Sequence, residues 1–252
     1  MTYKDKQLAN RIYLILAALF IASLVTSNLI FQKFFYWYPF DIQVFDTKLF
    51  EVSAGLLPYP ITFLITDILS EIYGKRKANE VVIAGIFASF FSLIIIYVSK
   101  EVPATSWSPV NNSIFVNVFG AAPLAVFASM MAYLFAQFID IRIYHFWKQL
   151  TKGKHLWLRN NFSTFSSQII DTLTVLVLLC SFGIIDWNNF LGLLISGVIF
   201  KMMIAALDTP ILYLAVYAFR KRFNLAINEE IDDKILIGTD EIIKEIGIKK
   251  MQ

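Results

Sequence analysis

The sequence predicts an all-α integral membrane protein with six transmembrane helices and both termini in the cytoplasm. Three observations predict it. Of 252 residues, 58% are hydrophobic and only 16% charged, against about 25% charged in an ordinary soluble domain, and the mean hydropathy is +0.63. Six stretches are apolar over the length of about 20 residues that a helix needs to cross the hydrocarbon core. Basic residues are crowded into alternate connecting segments, as the positive-inside rule requires of a multi-pass protein.

The first stretch, Ile12 to Phe31, follows Lys4, Lys6 and Arg11. Its length and the lack of a convincing cleavage site mark a retained helix rather than a signal peptide. The second, Leu56 to Tyr73, is interrupted by Asp67 and Glu71, whereas the third, Val81 to Val98, is apolar throughout. The fourth, Ala121 to Ile141, ends on Gln137 and Asp140, and the fifth, Ser163 to Ile185, carries Gln168 and Asp171. The sixth, Phe190 to Phe219, is longer than a bilayer core requires and contains Lys201, Asp208 and Pro210, so a tilt, a kink or an extension into the cytoplasm is expected. Fourteen Lys and Arg fall on the side of the termini and only three, Lys33, Lys48 and Lys100, on the other, which fixes the orientation and an even number of spans. Trp37, Trp107 and Trp187 fall on the outer side and Trp147 and Trp157 on the inner, where amphipathic rings belong.

Two outer loops, roughly residues 32–55 and 99–120, are long enough to fold over an outer entrance. Beyond Arg222 no further span is possible, so residues 1–222 form the membrane domain and 223–252 a charged cytoplasmic tail. The stretch Asp240 to Ile248 permits a short amphipathic helix there. A lone cysteine, Cys180, excludes an intramolecular disulfide and a thiolate metal site. The surplus of 22 basic over 19 acidic residues is too small to argue for nucleic acid. No cofactor or metal is expected.

Charge inside a span costs about 2.5–3.5 kcal/mol on insertion scales, so each such residue needs a partner, an aqueous cavity or a task. Asp67 and Glu71 are four apart and share a helix face. Two stacked carboxylates are tolerable only with a cation between them, a donor satisfying them or a proton on one. Glu71 has the plainer option of reaching the basic Lys75 to Lys77 turn. Gln137 with Asp140, and Gln168 with Asp171, sit three apart in the similar hexads AQFIDI and SQIIDT, each pair offering donors and acceptors together. Lys201 and Asp208 share a face of the last span, a spacing that also suits a structural ion pair bridged through neighbouring helices. Asn28 lies toward the outer end of the first span, where an interhelical hydrogen bond competes with a binding role. Arg159, Asn160 and Asn161 precede the fifth span, and Arg159 is placed to pair with Asp140 or with lipid headgroups. The small residues Ser163, Ser166 and Ser167 read as close-packing positions.

YPITFLITDILSEIYGKRKA, with its core Asp67, Glu71, Tyr73 and Gly74, resembles the hallmark of the queuosine precursor transporter family, also called the VUT family. Asn28 and Lys33 at the end of the first helix, LWLRNNFSTFSSQIIDT at 156–172, and Lys201 with Asp208, Thr209, Pro210 and Tyr213 agree with it in order. The resemblance covers about residues 12–220. It implies a multi-pass bacterial inner-membrane importer of 7-deazaguanine bases, with a six-helix plan similar to the substrate-binding components of energy-coupling-factor vitamin transporters. It also implies a site drawn from Asn28, Asp67, Glu71, Gln137, Asp140, Arg159, Asn161, Gln168, Asp171, Lys201 and Asp208. A deazaguanine offers an N1–H and an exocyclic amine to a carboxylate and an O6 to a donor, and its aminomethyl form is a cation.

The rival classes are an intramembrane enzyme using Asp67 and Glu71 as an acid/base pair, a transporter of a different small heterocycle, and a purely structural subunit. No HExxH, phosphate loop or nucleophile–histidine set supports an enzyme, so the chain is expected to be no enzyme. Any ATP drive must come from a separate energising module. The expected partners are the base and the lipid bilayer, with a homodimer left open.

Overall fold

In the computed structural model the described residues are 3–31, 33–36, 43–44, 47–48, 51–120, 123–152, 154–183, 185–227 and 229–231. Trp37 and the stretch Asp240 to Ile248 lie outside them. The chain folds as a helical bundle of α1 (Tyr3–Ile30), α2 (Tyr59–Ile72), α3 (Gly74–Glu101), a single short turn α4 (Asn112–Phe115), α5 (Pro123–Leu150), α6 (Leu156–Ser181) and α7 (Phe190–Phe223). The loop before α2 carries two antiparallel ribbons, β1 (Phe34–Tyr36) with β4 (Glu51–Ser53) and β2 (Gln43–Val44) with β3 (Thr47–Lys48). Both β3 and β4 touch α7.

Five segments among the described residues are long and apolar enough to cross a membrane: Tyr3–Ile30, Ala54–Ile72, Gly74–Glu101, Leu156–Ser181 and Trp187–Phe223. The protein is therefore a multi-pass, all-α membrane protein, with α5 a sixth helix of 28 residues. Leu14, Phe87, Phe91, Leu207, Leu214 and Tyr217 all present bare apolar surface, a distribution that suits lipid and not water. The long helices follow the order of the apolar stretches, but α1, α5 and α6 begin or end several residues beyond them, because polar residues at the end of an apolar stretch can continue the backbone ladder. α7 runs as one helix through Pro210 into the basic run Arg220 to Arg222.

α2 is the pivot. Its span is 67% buried, against 17–39% for the other four, although it is the least hydropathic. It packs on α1, α3, α5 and α7. Polar residues are placed inside because protein, not lipid, surrounds them. Only Tyr73 separates α2 from α3, and Gly74 makes the reversal at φ 85°, a conformation that side chains with a Cβ rarely adopt. Close approach of α1 to α3 depends on Gly85, where a Cβ would meet Phe20 Cε1 at 2.7 Å. On the other side of α1, Ser27 Oγ donates to Gly55 O at 2.5 Å, which ties the turn before α2 to the end of α1.

The chain does not leave the bundle at Arg222. Phe223, Leu225 and Ile231 are buried in the same apolar cluster as Phe20, Leu69 and Tyr144, at the end of the bundle that carries the basic residues.

Candidate functional site

The buried polar side chains are not scattered. On α5, Tyr133, Gln137, Asp140, Tyr144 and Lys148 are all buried at spacings of three and four, which makes one continuous stripe of the helix. α2 faces it with Thr66, Asp67, Ser70 and Glu71, and α6 with Asn160, Ser163, Thr164, Ser167, Gln168 and Asp171. Following the stripe from the basic end inward, three tiers succeed one another.

The first tier is an ion cluster around Glu71, whose side chain is fully buried. Arg220 of α7 donates to its Oε1, Tyr144 donates to its Oε2 at 3.2 Å, and the Lys148 ammonium lies 3.8 Å from Oε2. Lys148 also bonds Glu230 Oε1 at 3.0 Å. Glu71 thus does not turn out to the Lys75 to Lys77 turn; α7 and α5 supply its cations from inside the bundle. One helical turn puts Asp67 and Glu71 in different surroundings.

In the second tier Asp67 lies against Asp140 across the α2–α5 contact, with Ser163 and Ser167 of α6 also at the Asp140 carboxyl. Ser167 Oγ donates to Asp140 Oδ1 at 2.9 Å. Ser167, read from the sequence as a packing residue, is therefore a donor to the carboxylate, while Ser163 Oγ donates to Asn160 O at 3.1 Å. The serine–carboxylate contact lets α5 and α6 pack closely while satisfying one of the two Asp140 oxygens.

The third tier opens into a cleft. Lys201 Nζ bonds Asp171 Oδ2 at 2.5 Å and sits 4.7 Å above the centre of the Tyr59 ring. Around this pair Tyr59, Pro60, Phe63, Thr164, Gln168, Lys201 and Asp208 line a narrow recess of about 20 Å³ between α2, α6 and α7. Gln168 Oε1 and Thr164 Oγ1 are buried there and have no hydrogen-bond partner among the described residues. An unpaired buried polar atom costs about 1–3 kcal/mol, so a recess lined by two of them is prepared for a polar guest. Gln137 Nε2 donates to Tyr133 Oη at 2.7 Å, and the Tyr133 ring packs edge-on against Tyr59 and Phe63. Of the readings open for Lys201 and Asp208, a bridged ion pair between them is not what Lys201 makes: its ammonium pairs with Asp171 of α6.

The remaining expected site residues lie elsewhere. Asn28 lines a separate recess of about 10 Å³ with Val25, Ser89 and Ser92 between α1 and α3. Asn161 joins α6 to α7, its Oδ1 accepting from Thr209 Oγ1 at 3.4 Å. Arg159 belongs to α6 but its side chain is outside the described set, so its expected pairing with Asp140 is outside it too. Tyr59, Phe63 and Thr164 were missed; the signal was present, since Tyr59, Phe63 and Asp67 repeat every four residues, as do Thr164 and Gln168. Lys148 and Arg220 read as loop cations because they stand near the ends of apolar runs. No group of three or more His, Cys, Asp or Glu able to hold a metal ion occurs among the described residues.

The family model described as "Putative vitamin uptake transporter" matches residues 53–215, which contain all three tiers except Arg220 and Glu230. The chain belongs to the vitamin uptake transporter family. It is thus a transporter and no enzyme, and Asp67 and Glu71 are not an acid/base pair for catalysis. The "Probable queuosine precursor transporter" of Bacillus subtilis (strain 168) is 28% identical over 179 residues, 69% of this chain and 77% of that protein. The "Queuosine precursor transporter" of Escherichia coli (strain K12) is 29% identical over 124 residues, 49% of this chain and 53% of that protein. No solved structure matches.

Proposed function

We propose that this vitamin uptake transporter imports queuosine precursors, 7-deazaguanine bases, across a bacterial inner membrane, holding the base in the cleft between α2, α6 and α7. In this reading α5 completes six spans and both termini are cytoplasmic, with residues 223–252 a tail on that side, in keeping with the fourteen-to-three bias of basic residues. The observation that carries the substrate is that relatives from two bacteria bear the queuosine precursor transporter name, and the cleft supplies a chemistry that fits such a base. Gln168 Oε1 and Thr164 Oγ1 are buried acceptors for the N1–H and exocyclic amine. Lys201, fixed by Asp171, offers donors to a ring acceptor, and the Tyr59 and Phe63 rings give planar apolar walls. Asp140 stands behind this face of α6, where it holds Ser167 and with it the register of Thr164 and Gln168.

Stabilisation in detergent tests the reading. A ligand that binds only the folded protein raises the melting temperature by mass action, so a 7-deazaguanine base should raise it, and guanosine, whose ribose has no room in a small enclosed site, should raise it much less. Equal stabilisation by the nucleoside contradicts the enclosed cleft. Stabilisation by an unrelated heterocycle and not by the base favours a transporter of a different small molecule.

A further inference from the structure

We propose that Asp208 is a specificity residue of the cleft, selecting substrates that carry an ammonium group on the planar ring over neutral ones of the same shape. The inference rests on the reading that a planar base enters the cleft between α2, α6 and α7.

The charges at the cleft do not cancel. Lys201 is the cation in its wall, and its ammonium is committed to Asp171 at 2.5 Å. Asp208 lines the same recess and has no ion pair or hydrogen bond among the described residues. One carboxylate is therefore left over in a site whose other walls are Tyr59, Phe63 and the aliphatic residues of α7. Away from bulk water such a charge is costly unless a guest brings the opposite one. Gln168 and Thr164, both nine-tenths or more buried, line the recess and carry unpartnered side-chain oxygens, which mark it independently as a place where a polar guest completes the hydrogen bonding.

The spacing sets the guest's orientation. Lys201 and Asp208 are seven residues apart on one continuous helix, hence on nearly the same face and separated by about 10.5 Å along its axis. A substrate ammonium at Asp208 is thus held at the far end of the cleft from the Lys201 ammonium, so the two cations do not oppose each other. The ring lies between them, with its edge remote from the substituent turned toward Lys201. Reversal would bring the two ammonium groups together and leave Asp208 without a partner, which penalises a wrongly turned ligand as well as a neutral one.

The test compares two ligands of the same ring: 7-aminomethyl-7-deazaguanine and its 7-methyl analogue, which has no charge at that position. Binding to the purified full-length protein is measured by competition, with wild type, Asp208→Asn and Asp208→Glu. Wild type should favour the ammonium ligand by about tenfold or more, the range expected of a partly desolvated charge pair. Asp208→Asn should bring the two affinities to within about twofold by weakening the ammonium ligand alone, and Asp208→Glu should keep the preference. Equal binding of both ligands to wild type overturns the proposal without needing any variant. So does an Asp208→Asn protein that keeps the tenfold preference, or one that loses both ligands equally. Failure of wild type to bind either ligand overturns the placement of the base in this cleft, and is thereby told apart from loss of the selectivity alone.

Discussion

Glu71→Ala separates a structural carboxylate from a binding one. In wild type the Glu71 side chain is fully buried and receives Arg220, Tyr144 and, at 3.8 Å, Lys148, whose own side chain is only 4% exposed. Deleting the carboxylate leaves two cations facing each other without their shared anion. Breaking a buried ion pair from one side costs about 3–5 kcal/mol. The low end applies here, because Lys148 keeps Glu230 at 3.0 Å and the Arg220 side chain is 20% exposed. A loss of about 3 kcal/mol corresponds to a fall in melting temperature of about 6–12 °C for a chain of this size. Glu71→Gln keeps one acceptor oxygen, enough for Arg220, and presents an amide N–H that the Tyr144 hydroxyl can turn to accept, so it should cost less, about 1–2 kcal/mol. The assay is thermal unfolding of the detergent-solubilised, ligand-free protein, repeated at high salt, which should matter little for a pair shielded from solvent. An unchanged melting temperature with lost ligand binding would refute the structural assignment and return Glu71 to the substrate site.

Further outcomes follow from the same geometry. Gly74→Ala places a Cβ 2.0 Å from Glu230 Oε2 at a residue with φ 85°, so thermal unfolding should show a loss of about 1–3 kcal/mol. Ile231→Ala, at a side chain only 1% exposed, should lower stability by about 2–5 kcal/mol; an unchanged melting curve would mean that the segment after α7 does not pack on the bundle. Lys201→Met should abolish uptake of the base at a normal membrane level, measured by immunoblot beside transport, because the donor goes while the chain becomes cheaper to insert. Asp67→Asn gives Asp140 an amide donor in place of a second carboxyl, so the melting temperature should hold or rise; a clear fall would show that the two carboxylates are held by something other than each other.

The spans and their order were legible in the sequence because lipid imposes a length and a composition that few other solvents do, and α1, α3 and α7 needed no more than that. α2 was legible by its violations. Asp67 and Glu71 could be seen to be out of place in an apolar run, but not that a single turn sends one to Asp140 and the other to Arg220, since partner choice depends on which helices α2 packs against. Lys201 stood out as a cation deep in a span, but its partner did not: Asp208 is on its own helix, whereas Asp171 arrives from α6, and distance along a sequence says nothing about that. Tyr59, Phe63 and Thr164 disappear among 24 Phe, 11 Tyr and many hydroxyls, and only the cleft distinguishes them from their neighbours. Leu225 and Ile231 looked like part of a charged tail because two apolar residues among Asn and Glu do not make a pattern; the exposed end of a helix bundle gives them something to cover.

Uptake of a labelled 7-deazaguanine base bears most directly on the central claim. Cells lacking their own importer and expressing this chain should accumulate the base well above cells expressing Lys201→Met at the same membrane level, and unlabelled base should compete while guanosine should not. Accumulation no different from that of the variant, with both proteins present in the membrane, would contradict the claim that this transporter carries queuosine precursors through the cleft between α2, α6 and α7.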